Sequence, residues 1–188
     1  ELFVEFMGMS SRVGFATTIH ARGPEVDAVS TPAWCICEYE YPARGEMPAV
    51  KLTWYDSGKS PEIINTLRAK GESLAWKSGQ LFVGEHGMLI SDYSRHHLLP
   101  EDKFVDYKRP EPTIPRSIGH HAEWIRACKT GEPTTCDFAY SGPLTETVLL
   151  GVIASRVGEG ELKWDAKQLR FTNSDAANGF VSGRRRRR

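Results

Sequence analysis

The alternation of apolar and polar residues is sharpest in the first half of the chain. Residues 34–41 read Trp-Cys-Ile-Cys-Glu-Tyr-Glu-Tyr, and their second half alternates Glu38 and Glu40 with Tyr39 and Tyr41. A period of two in aromatic and β-forming residues predicts a strand with one acidic face and one aromatic face. Residues 50–55 alternate again, with Val50, Leu52 and Trp54 on one side. The stretch from Pro42 to Pro48 between them contains a turn, so the pair predicts an antiparallel hairpin with a longish loop. Further short strands are expected at 26–30, 81–83, 88–91 and 104–107. The middle two are joined by the tight turn Gly84-Glu85-His86-Gly87. Residues 62–76 are ambiguous: Ile63, Ile64 and Leu67 have helical spacing, then Gly71 interrupts. In residues 1–23, Leu2, Phe3, Val4 and Phe6 suit a strand or a helix, and Gly8, Gly14 and Gly23 break the pattern.

The second half changes period. Ser117 is the expected N-cap of a helix carrying Ala122, Ile125, Ala127 and Cys128, with Gly131 as its stop. Pro143 is the expected first residue of another, with Glu146 in its first turn and Gly158 and Gly160 after its end. Leu144, Val148, Leu149, Val152 and Ile153 cover a wide face of it, which predicts burial. Residues 108–115 hold three prolines and should run extended. Short closing strands are expected at 162–164 and 169–172. Strands followed by helices and a short return argue for an α+β fold: an open, mostly antiparallel sheet with helices packed on one face. The expected division is a poorly defined segment 1–23, one domain over 24–173, and a disordered basic tail over 174–188.

Composition narrows the function classes. With 188 residues, 40% hydrophobic and 26% charged, the chain resembles an ordinary globular domain. Its formal net charge is zero only because Arg184 to Arg188 close it; the remainder carries an excess of five acidic charges. No nucleic-acid-binding face is expected from that balance, and the arginine run reads as a disordered end. No apolar run approaches the ~20 residues that cross a bilayer, so no membrane partner is expected. Acids stand where a secretory signal carries positive charge. Of the four cysteines, Cys35 and Cys37 share one strand face, Cys128 lies on a helix and Cys136 follows a turn. Without C-x-x-C spacing they predict reduced thiols in a cytoplasmic compartment, and no metal site.

The chemistry-bearing motifs are few. There is no G-x-G-x-x-G, Walker A, G-x-S-x-G or H-E-x-x-H pattern. His120 and His121, side by side at a helix start, are the strongest candidates to hold or deprotonate a hydroxylated substrate, with Arg116 nearby for a carboxylate or phosphate. The bland alternative is that one packs and the other is solvated. His96 and His97 beside Arg95 form a weaker candidate. Glu38 and Glu40 fit a paired-carboxylate site less well than a solvated strand face. Trp54, Tyr55, Trp76 and Trp124 suit a core or an interface better than a sugar platform.

Several blocks resemble one family. Residues 41–56, 81–87, 98–101, 115–129 (Pro-Arg-Ser-Ile-Gly-His-His-Ala-Glu-Trp-Ile-Arg-Ala-Cys-Lys), 141–151 and 162–165 look like the C-terminal domain of Gfo/Idh/MocA oxidoreductases, in the branch abundant in planctomycetes. The resemblance covers about 26–173. It implies a two-domain enzyme in which a Rossmann domain binds NAD(P) and this domain supplies an open antiparallel sheet, part of the substrate pocket and a homo-oligomer interface through the sheet face. Sugars, cyclitols or their derivatives are the implied substrates. The Rossmann domain, its Glu-Lys-Pro motif and the family's Asp/His segment have no counterpart here. No catalytic residue or cofactor-binding residue is therefore carried over, and Arg116, His120 and His121 stand as substrate-side candidates. The expectation is a substrate-binding and oligomerisation domain inactive alone. The alternative is a stand-alone, non-catalytic carbohydrate-binding or scaffold module.

Overall fold

In the computed structural model, residues 16–26, 29–71, 78–113, 116–158 and 160–182 are described. Among them lie eight strands and four α-helices, and every strand pair is antiparallel, which makes the class α+β. The chain divides into two compact units, one of Glu1–Lys59 with Ser117–Arg188 and one of Ser60–Arg116. The second of these units falls within the stretch 24–173 expected as one domain.

The first unit is built on a sheet ordered β3-β2-β1-β7-β8, from β1 (Thr18–Arg22), β2 (Ile36–Tyr41), β3 (Val50–Tyr55), β7 (Glu161–Asp165) and β8 (Arg170–Phe171). The Glu/Tyr alternation decides which way β2 faces. Cys37, Tyr39 and Tyr41 are buried, while Glu38 and Glu40 point to the other side. On the buried side, Ile19, Ala21, Leu162, Trp164 and Phe171 join them against Leu150 and Ala154 of helix α3 (Phe138–Val157). Three bonds fix α3 to the sheet: Tyr41 Oη to Thr147 Oγ1 at 3.3 Å, Trp164 Nε1 to Glu146 Oε1 at 2.7 Å, and Cys37 Sγ to the Gly151 carbonyl at 3.7 Å. Gly151 is where helix and strand come closest. A Cβ there would lie 1.9 Å from Tyr39 Oη.

The second unit pairs the hairpin β4 (Gln80–Gly84) and β5 (Gly87–Ser91) with β6 (His96–Leu99). The predicted tight turn forms at Glu85-His86, with Gly84 opposite Gly87. Helix α1 (Glu62–Ala69) resolves the ambiguous segment, and the spacing of Ile64 and Leu67 presses it on Ile90 and Leu99. Trp76 lies outside the described residues.

Several expectations are corrected. Among the described residues of 26–30 there is no strand. Residues 101–104 form a 3-10 turn, not the start of a strand over 104–107. Helix α2 (His120–Thr130) starts at His120 behind Gly119; Ser117 is two residues too early. Its Oγ accepts the Gly119 N–H at 3.0 Å and donates to Glu123. Gly131 does end the helix, in the left-handed conformation expected of it (φ 75°). Helix α3 begins at Phe138, because Asp137 caps it by accepting the Tyr140 N–H at 2.9 Å. Pro143 therefore sits inside the helix, where it removes one internal hydrogen bond. The wide apolar face of α3 is not covered: Val148, Leu149 and Val152 are exposed. On α2, Ala122, Ile125 and Cys128 are also exposed, and the buried residue is the carboxylate Glu123. The polar end is more ordered than its composition suggests. Helix α4 (Asp175–Val181) is capped by Ser174 and held to β8 by Asn178, which bonds both the N–H and the carbonyl of Phe171 at 2.7 and 2.8 Å.

Candidate functional site

The side of the five-stranded sheet away from α3 is open and polar. Directly opposed residues of an antiparallel pair share a face, so the register assembles it. Lys51, Glu40, Thr18 and Lys163 form one row across β3, β2, β1 and β7. Thr53, Glu38, His20 and Glu161 form the next, and Tyr55, Ile36 and Arg22 a third. Thr18, His20, Glu38, Glu40 and Glu161 line a shallow depression of about 300 Å³.

Electrostatically this face is a lattice of both signs. Lys51 Nζ lies 3.0 Å from Glu38 Oε2, Arg22 reaches the same carboxylate at 3.5 Å, and Lys163 pairs with Glu161 at 3.7 Å. The Lys51 hydrogen bond, aided by the Arg22 charge, holds the Glu38 carboxyl below its ordinary range despite partial burial. His20 stands between Glu38 and Glu161 on the central strand. Three carboxylates are thereby balanced by three cations, and the hydroxyl and imidazole lie among them. Such a surface can hydrogen-bond a polyol or pair with a complementary charged face. Its shallow, open form does not exclude water from a reacting bond.

The predicted site residues lie elsewhere. His120 and His121 are the first two residues of α2, both exposed, with ring centroids 4.1 Å apart. Neither lines the sheet depression. Arg116 is exposed and belongs to the second unit. What is organised beside the histidines is Glu123. Ser117 and Thr135 donate to its two oxygens, the Thr135 hydroxyl at 2.7 Å and its N–H at 3.2 Å. Those bonds, Ser117 foremost, lower the Glu123 pKa, so this carboxylate is an ionised staple for the loop after α2 and not a proton donor. Trp54 and Trp124 are 60% and 63% exposed, so neither is core.

In the second unit, His97 Nε2 meets Glu101 Oε1 at 2.8 Å and Arg95 pairs with Asp92. Among the described residues no group of three or more His, Cys, Asp or Glu is disposed to hold a metal ion. Cys35 and Cys37 are buried with sulfurs 3.2 Å apart, while Cys128 and Cys136 are exposed. Burial, and then the neighbouring Cys35, push the Cys37 thiol up to about 12. A nicotinamide dinucleotide needs a glycine-rich turn from a parallel strand into a helix. The described strands pair only antiparallel and α3 starts behind Asp137, so no turn of that kind occurs among the described residues. No described helix is long and apolar enough to cross a membrane.

The chain matches no known family model and no curated protein. The acidic side of β2 is legible in the sequence, but its neighbours are not. Thr18 and His20 lie in the poorly defined segment 1–23, and Glu161 sits at the edge of a strand expected to start one residue later. The signal was present in Thr-Ile-His-Ala-Arg (18–22), whose alternation puts Ile19 and Ala21 opposite His20.

Proposed function

We propose that this chain is the substrate-side and oligomerisation domain of an NAD(P)-dependent oxidoreductase of the Gfo/Idh/MocA type acting on sugars, cyclitols or derivatives, and that it does not turn over alone. The observation that supports this most is the two-sided sheet: one face roofed by α3, the other open, polar and balanced in charge. Three of the six blocks that resemble the family fall on that frame, while 81–87 and 98–101 belong to the second unit. Residues 41–56 contain β3 and its approach, 141–151 lie in α3, and 162–165 lie in β7. In this reading the open face takes a second copy of the chain, and the polyol site is completed by a cofactor domain outside these residues.

Calorimetric titration of NADH and NADPH into the purified chain tests the catalytic half of the reading. No heat of binding is expected, and micromolar binding of either would defeat it. A thermal-shift screen of sugars, sugar acids and cyclitols separates the second reading, a stand-alone carbohydrate module. Its supporting observation is the row of hydrogen-bonding side chains lining the sheet depression. Strong stabilisation by one sugar in the isolated chain would favour that module.

A further inference from the structure

On the open face of the five-stranded sheet the formal charges cancel. Glu38, Glu40, Glu161 and Asp165 stand on that side, and so do Arg22, Lys51, Lys163 and Arg170. One side chain there is of the type that takes up a proton between pH 5 and 8: the imidazole of His20. It sits on β1, the central strand of the five, in the middle of the three rows. Across β2 it faces Glu38, with Glu40 on the diagonal. Across β7 it faces Glu161, with Lys163 on the diagonal, and Thr18 and Arg22 flank it along β1. Both carboxylates opposite it already hold cations. Glu38 takes Lys51 at 3.0 Å and Arg22 at 3.5 Å, and Glu161 takes Lys163 at 3.7 Å. Glu40 has no ion pair among the described residues, and its diagonal place puts it roughly 7–8 Å away. A proton on His20 therefore touches no uncommitted carboxylate and leaves the face with a net positive charge.

We propose that protonation of His20 opposes the pairing of two sheet faces, so that the dimer is strongest at the alkaline end of that interval and weakens as the pH falls. This rests on the reading above that the open face receives a second copy of the chain. In an isologous interface the same patch meets itself, so a residue at its centre lies close to its counterpart. With both imidazoles neutral, two faces without net charge meet. With both protonated, two like charges are brought together in the part of the interface most shielded from water. At a separation of ~8 Å their repulsion raises the dimer Kd about tenfold or more. Because the dimer favours the neutral imidazole, association releases protons and is lost as His20 takes them up.

Sedimentation velocity of the full chain at pH 8.0 and pH 5.5, at one ionic strength, tests this beside the variant His20→Gln. Carboxylates ordinarily titrate near pH 4, below the window, and every other histidine is unchanged in the variant. The wild-type Kd is expected to be at least about tenfold larger at pH 5.5 than at pH 8.0. His20→Gln should dimerise with the same Kd at both. A wild-type Kd equal at the two values overturns the proposal and leaves the dimer standing. A pH dependence that survives in His20→Gln also overturns it, because another group then carries the effect. A chain monomeric at both values removes the dimer itself and this inference with it. Should circular dichroism show that His20→Gln does not fold, His20→Thr takes its place with the same expectation, since Thr18 already occupies the same face of β1.

Discussion

Replacing Gly151 by Ala tests the close approach on which α3 is seated. In an exposed helix interior that change stabilises by about 1 kcal/mol, because alanine restricts the unfolded chain and favours the helix. Here the new methyl meets Tyr39 Oη at 1.9 Å, Tyr39 Cζ at 3.0 Å and Cys37 Sγ at 3.5 Å. Tyr39 is 5% exposed in the middle of β2, so its ring cannot swing into solvent. Overpacking a filled core costs roughly 1–3 kcal/mol, and a clash against an immobile ring belongs at the upper end. Subtracting the helix gain leaves a net destabilisation of about 2 kcal/mol, or a Tm lower by about 4–8 °C for a chain of this size. Tyr39→Phe removes the oxygen in the way. In that background Gly151→Ala should cost close to nothing, giving a coupling of about 2 kcal/mol in a double-mutant cycle. Urea and thermal unfolding followed by circular dichroism measure all four proteins. If Gly151→Ala raises stability equally in both backgrounds, α3 does not sit on Tyr39 as described.

Two further outcomes follow from the surroundings of single groups. Backbone N–H groups, that of Ser94 first, hold the Asp92 carboxyl at about 2, below its ordinary 3.8. With the folded value depressed, the stabilising contribution of Asp92 is present above pH 4 and lost as the pH falls towards 2; a carboxyl carbon titrating at its ordinary value by NMR would contradict this. Of the four thiols, Cys128 and Cys136 should react at once with a chromogenic disulfide reagent in native buffer, and Cys35 and Cys37 only after denaturation. Four rapid equivalents would mean that the β2 side of the core is open.

The hairpin of β2 and β3 was legible because its alternation is strict and one face is buried, so register and side-chain direction are fixed together. The helix ends were less so. Asp137 and Pro143 are both good start signals, and proximity to the apolar run favours the proline; the cap that forms is the aspartate six residues earlier, lengthening α3 by more than a turn. Strand β1 was hidden by its brevity and by glycines on both sides, although it is the centre of the larger sheet. The candidate site failed for a different reason. His120, His121 and Arg116 are neighbours in sequence, but α2 turns the imidazoles to solvent and commits its one buried polar group, Glu123, to holding a loop. The open face around His20 is assembled from strands far apart in the chain, a juxtaposition that local patterns do not encode.

The central claim is that the open face of the sheet receives another copy of the chain. Thr53 lies in the middle row of that face, opposite Glu38 and away from the side packed on α3, so Thr53→Arg adds bulk and charge where only a partner would meet them. Sedimentation velocity of the wild-type chain and of Thr53→Arg reads the answer directly. A wild-type dimer and a monomeric variant with unchanged circular dichroism and Tm are predicted; a wild-type monomer at every concentration, or a variant that stays dimeric, would contradict the account.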